Sequence, residues 1–145
     1  MQEVSFEAAL DLVQVKDPRY AREAYVFVKD ALDHTQKAKK DPRGNIRHIS
    51  GQELLEGIRE FALSQYGPMA AMLFEEWGLH TCQDFGEIVF NMVEIGWLAK
   101  TDQDSRADFQ RGYNFYDAFR RPFLPSSKQR PLETKPSEPA PEIKL

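Results

Sequence analysis

One cysteine, Cys82, and three histidines are all that this chain of 145 residues offers to a disulfide or a soft metal. A single cysteine excludes an intramolecular disulfide framework and is compatible with a reducing compartment. A structural zinc site takes about four ligands, and His34, His48, His80 and Cys82 match no ligand spacing. Neither G-x-x-x-x-G-K-[ST] nor G-x-G-x-x-G occurs, so the two commonest phosphate-cradling loops are missing. No window approaches about 18 uninterrupted apolar residues, so no membrane span is expected. The start, MQEVSFEAALDLVQ, lacks the basic and apolar regions of a secretory signal. These absences predict a cytoplasmic protein with no cofactor and no metal.

What is present is an ordinary globular balance, 41% hydrophobic and 29% charged, with a mean hydropathy of -0.57. The net charge of -4 does not imply bulk attraction to nucleic acid. The charge is uneven, however. Lys37, Lys39, Lys40, Arg43 and Arg47 face only Asp41 within segment 36–47. Segment 75–108 holds Glu75, Glu76, Asp84, Glu87, Glu94, Asp102, Asp104 and Asp108 against Lys100 and Arg106. Either segment is a candidate for partner contact or a solvated face.

The apolar spacing is helical. Ser5 precedes Phe6, Ala9, Leu10 and Val13, the pattern of a capped helix. Asp17-Pro18 reads as the cap and first turn of a second helix, which carries Ala24, Phe27, Val28, Ala31, Leu32 and Thr35. Residues 37–49 read as a polar loop. Ser50-Gly51-Gln52-Glu53 has the form of a capping box, and Leu54, Leu55, Ile58, Phe61, Ala62 and Tyr66 form the stripe behind it. Gly67-Pro68 ends that helix and starts a short one through Trp77, which Gly78 closes. Thr81 caps the next, with Asp84 at its positive end and Gly96 at its close. Segment 97–109 reads either as a β-hairpin or as an extended piece before a last helix. In the second reading, which we favour, Ser105 caps a helix carrying Phe109, Tyr113, Tyr116 and Phe119.

Six of the nine prolines fall after Arg121, and large apolar residues nearly vanish after Leu124. Such a stretch cannot offset its ordering entropy by burial. The expected organisation is a mainly α, compact multi-helix domain over 1–120 and a disordered Pro-rich tail over 121–145.

The stretches HISGQELLEGIREFALSQYGPMAAMLFEEWGL and DFGEIVFNMVEIGWLAKTDQDSRADF carry a resemblance. Gly51–Gly57, Trp77-Gly78, Asp84–Phe90 and Asp108-Phe109 are its most specific pieces. The chain from about Phe6 to Phe119 resembles a small uncharacterised bacterial family described mainly from planctomycetes and verrucomicrobia. That resemblance implies a real domain of this extent and carries over no activity, cofactor or catalytic residue.

Three functions compete. Helices 68–77 and 82–95 around Gly78–Thr81 have the layout of a helix-turn-helix, and the 97–109 hairpin would make it winged. Its recognition face would show Gln83, Asp84, Glu87, Asn91 and Glu94, three carboxylates and no cation, which disfavours DNA. As an enzyme, the chain offers Cys82 near a helix N-terminus with His80 two residues away; a small packing thiol is the simpler account. The carboxylates Asp102, Asp104 and Asp108 lack the glycine and terminal glutamate of a calcium loop. The third reading, an adaptor or scaffold domain that binds another protein, is the one we favour. It rests on the 12% aromatic content clustered between Trp77 and Phe123. Lys37, Lys39, Lys40, Arg43 and Arg47 are the candidate contacts for an anionic partner, and a nucleic-acid-binding regulator is the alternative.

Overall fold

The computed structural model describes residues 5–45, 47–98 and 104–125. These residues are mainly helical, and no strand occurs among them. The tail expected to be disordered over 121–145 begins with a 3-10 turn at Arg121–Phe123, and its remainder from 126 lies outside the described residues.

Helix α1 (Phe6–Lys16) starts where the Ser5 hydroxyl accepts the Ala8 N–H at 3.1 Å, and it buries Ala9, Leu10 and Val13. Helix α2 (Arg22–Ala38) begins later than Asp17-Pro18 predicts, with Ala21 at its N-cap and no side-chain cap bond. A tertiary contact takes the place of that cap. The Asp17 carboxylate accepts the Arg19 guanidinium and the Asn91 amide of a distant helix. The Ala21 N–H donates to the Trp77 carbonyl at 3.2 Å. Gly78, with φ +88°, admits this turn, because a Cβ there would lie 2.5 Å from the Arg19 carbonyl oxygen.

Helix α3 (Gly51–Tyr66) carries the predicted capping box, with Glu53 N–H on Ser50 Oγ at 3.2 Å and Ser50 N–H on Glu53 Oε1 at 3.0 Å. It packs closely on α2 because Gly57 presents no side chain to Thr35. Gly67, φ +54°, and Pro68 then turn the chain through a 3-10 helix into α4 (Ala70–Glu76).

Helix α5 (Cys82–Glu94) runs through the middle of the molecule, touching α1, α2, α3 and the 3-10 helix at Arg106–Phe109. It buries Cys82, Phe85, Gly86, Ile88, Phe90, Asn91 and Met92. Phe109 packs on Gly86, where a Cβ would lie 2.9 Å from the ring-bearing Cβ. The last helix of the sequence reading is not continuous. Ser105 and Asp108 cap only a 3-10 turn, with Ser105 N–H on Asp108 Oδ2 at 3.1 Å. The chain then presses Gly112 against Cys82 and restarts at α6 (Phe115–Phe119), capped by Asn114.

The alternative hairpin wing does not form at its return strand, since Ala107, Asp108 and Phe109 belong to that 3-10 turn; residues 99–103 lie outside the described residues.

The aromatic cluster is mostly core. Phe74 sits 5.2 Å from Phe27, 5.6 Å from Phe85 and 5.0 Å from Phe119, each edge to face. Such pairs add roughly 0.5–1.5 kcal/mol beyond the area they bury. Of the residues behind the exposed-patch expectation, Tyr116 and Phe123 remain on the surface.

Candidate anionic-partner face and apolar cavity

Much of the acidic segment is paired within the fold, although Glu75 and Glu76 are exposed. Asp84 Oδ1 accepts the Tyr20 hydroxyl at 2.6 Å, and its Oδ2 accepts the His80 and Thr81 N–H groups. Burial and that carboxylate push the Tyr20 phenol well above its usual range. Glu87 lies 3.4 Å from both Arg19 and Arg106. Glu94 pairs with Lys16 and Arg106. The Arg106 guanidinium also covers Phe90, 5.1 Å from the ring centroid. Asp104 pairs with His48 at 2.9 Å, and Asp108 caps its turn. Asp102 lies outside the described residues.

The same contacts correct the expected recognition face. Asn91 is not exposed: its amide donates to Asp17 Oδ2 at 2.9 Å and to the Tyr25 hydroxyl at 3.1 Å. On the outer stripe of α5, Glu87 and Glu94 are paired with arginines from other elements, while Gln83 is exposed.

The basic segment behaves oppositely. Lys37 lies in the last turn of α2, Lys39 caps it, and Lys40 follows. Asp41 Oδ1 accepts the Arg43 N–H at 2.9 Å and the Asn45 N–H at 2.8 Å, and Gly44 at φ +85° closes the turn. That carboxylate organises backbone rather than neutralising a side chain. Among the described residues, Lys37, Lys39, Lys40 and Arg43 make no ion pair. Arg47 differs from its neighbours in the candidate set: it pairs with Glu53 at 2.7 Å. That guanidinium, helped by the Ser50 N–H, holds the Glu53 carboxyl down at about 2. Arg47 therefore serves the α3 cap, and four of the five predicted cations remain for a partner.

Sequence reasoning missed a cavity. Between α2, α3, α5 and the Arg106–Phe109 turn lies a space of about 240 Å³. Its walls are apolar, with Leu32, Leu54, Val89, Phe90, Val93 and Leu98. Gln36, His48, Ser50, Asp104 and Asp108 add polar groups. The basic segment is strung between Gln36 and His48, both of which line this space. No local pattern announces it, because the lining comes from four separate stretches of chain.

The residues weighed for chemistry do not converge. Cys82 is buried, its thiol donates to the Tyr113 carbonyl at 3.4 Å, and burial pushes it up to about 11. Burial here outweighs the lowering expected at a helix N-terminus. His34 stacks on Phe61 with centroids 5.2 Å apart, and His48 is held by Asp104. Among the described residues no group of three or more His, Cys, Asp or Glu side chains is placed to hold a metal ion. No helix there is long and apolar enough to cross a membrane.

No family model, curated protein or solved structure matches the chain. The functional reading therefore rests on the residues themselves.

Proposed function

We propose that this domain is a non-enzymatic protein-interaction module that engages an acidic segment of a partner through Lys37, Lys39, Lys40 and Arg43. The observation that carries the reading is the contrast in charge pairing. Arg19, Arg22, Arg47, Arg59, Arg106 and Lys16 each lie against a carboxylate. The four cations of 37–43 do not, in a chain whose net charge is -4. Neighbouring like charges repel, and an anionic partner relieves that repulsion. Such a cluster acts mainly on association rate and partner choice, and salt screens it over about 8 Å at physiological ionic strength. Four cations on a net-acidic body make a poor duplex binder, since nucleic-acid affinity scales with the number of phosphates neutralised.

The test is capture from native lysate on the full chain, with and without nuclease. Alongside it runs a fourfold variant, Lys37→Glu, Lys39→Glu, Lys40→Glu and Arg43→Glu. The expected result is a protein partner that survives nuclease, weakens with salt and is lost by the variant while its melting temperature holds. Loss of every partner on nuclease treatment would overturn the reading in favour of a nucleic-acid-binding regulator.

A further inference from the structure

We infer that the outward face of α2 is a self-association surface. The acidic segment that answers Lys37 and Lys40 is then Asp30 and Asp33 of a second copy of this chain, laid antiparallel. The inference rests on the reading above, since it names a partner for the same cations.

Spacing defines the face. Glu23, Val26, Asp30, Asp33 and Lys37 are all exposed, and they recur along α2 at alternating intervals of three and four residues. That is the spacing of a straight seam between two helices. The opposite side of α2 is buried, with Ala24, Phe27, Val28, Ala31 and Thr35 turned into the core. Lys40 follows directly after the Lys39 cap and is exposed as well. Val26, 40% exposed, is the apolar member of the seam.

Charge sets direction and register. The seam is acidic at Glu23, Asp30 and Asp33 and basic at Lys37 and Lys40. Among the described residues, Glu23, Asp30, Lys37 and Lys40 form no ion pair, and Asp33 reaches Lys29 of its own helix at 3.4 Å. A parallel arrangement sets like charge against like. An antiparallel one, centred at the level of Thr35, sets Asp33 opposite Lys37 of the second copy and Asp30 opposite its Lys40. A two-fold axis repeats both pairs. Sliding the copies by one heptad brings Asp30 against Asp33, which repels, so the charges select a single register.

Exposed ion pairs are individually weak, so the contact is reversible, with a dissociation constant on the order of 1 mM. Each copy carries a net charge of -4, which opposes association at long range. At about 0.1 M salt a screening length of about 10 Å damps that repulsion, while pairs in contact keep their attraction. At about 1 M salt the length falls to about 3 Å and the contact pairs are weakened too.

The test uses the purified, ¹⁵N-labelled full chain from about 0.05 to about 1 mM, the range in which such a contact is visible. Pulsed-gradient diffusion and amide shifts are followed at both salt levels. At the lower salt, diffusion should slow as concentration rises, and shifts should move at Asp30, Asp33, Lys37 and Lys40. Both effects should vanish at the higher salt. Asp30→Lys with Asp33→Lys, and separately Lys37→Glu with Lys40→Glu, should each stay monomeric with the melting temperature held. Mixed in equal amounts, the two variants should associate again, because each presents the charges that the other lacks. The inference is overturned if the parent stays monomeric, if either variant alone associates as the parent does, or if the mixture does not recover association. The reading it rests on is decided separately, by capture from lysate through the four cations, all of which the Asp30→Lys, Asp33→Lys variant retains. A parent that stays monomeric while that capture persists overturns self-association alone.

Discussion

Asn91, only 4% exposed, spans α5 and the turn before α2 by donating one amide hydrogen to Asp17 Oδ2 at 2.9 Å and one to the Tyr25 hydroxyl at 3.1 Å. Tyr25 is itself fully buried, so its hydroxyl has no water to turn to. Asn91→Leu keeps the volume but removes both donors. An unsatisfied buried polar group costs about 1–3 kcal/mol. We expect the urea midpoint to fall accordingly with an unchanged m-value. A variant as stable as the parent would show that the bridge contributes nothing net.

Acid should loosen the same corner. The Arg19 guanidinium, with Asn91 behind it, holds the Asp17 carboxyl well below the usual carboxylate range. Glu53 is held at about 2 by Arg47. Both folded-state values lie below those of the unfolded chain, near 4. Their stabilisation is therefore complete above about pH 5, and it is lost as pH falls from there towards 2 and below. Urea midpoints measured across this range should be flat above pH 5 and decline beneath it. Asp17→Asn should be less stable at pH 7 and show a shallower decline. An identical acid slope in that variant would remove Asp17 from the account.

Gly57 sets the spacing of α2 and α3. A Cβ at this position would overlap Thr35 Oγ1 and lie 2.9 Å from Thr35 Cβ and 3.1 Å from its Cγ2. Thr35 is buried and donates its hydroxyl to the Ala31 carbonyl at 2.8 Å, so it has little room to rotate. Despite alanine's better helix propensity, Gly57→Ala should destabilise by about 1–3 kcal/mol through overpacking. Adding Thr35→Ala removes two of the three clashing atoms and should restore part of that loss. Calorimetric melting of the two single variants and the double variant measures the coupling.

Cys82 should resist alkylation in the native protein. With its thiol at about 11, the thiolate fraction at pH 8 is reduced by a few hundredfold relative to an ordinary cysteine near 8.5. Iodoacetamide labelling followed by mass spectrometry should be slow in buffer and rapid in denaturant. Fast native labelling would revive the nucleophile reading.

The elements legible in the sequence are those fixed by bonds within four residues. The caps at Ser5 and Ser50, the Thr81 start with Asp84, and the breaks at Gly67-Pro68, Gly78 and Gly96 depend on neighbours along the chain. The apolar stripes of α1, α2, α3 and α5 were legible for the same reason. Each misreading involves a residue answered from far away. Asp17, read as the cap of α2, instead accepts the Arg19 guanidinium and the amide of Asn91, 74 residues distant. The final helix was interrupted where Gly112 meets Cys82.

The candidate site divides along the same line. Composition placed five cations in one loop, but only folding decided that Glu53 would claim Arg47 and leave the other four unpaired. The cavity had no sequence signal, because it is the space left between α2, α3 and α5 once their side chains pack. The sequence by itself determined a mainly helical chain with its starts and stops, since local hydrogen bonding and apolar periodicity suffice for that. Which aromatics are buried and where the cavity lies were decided only by tertiary structure, since each depends on groups far apart in the sequence meeting in the packed core.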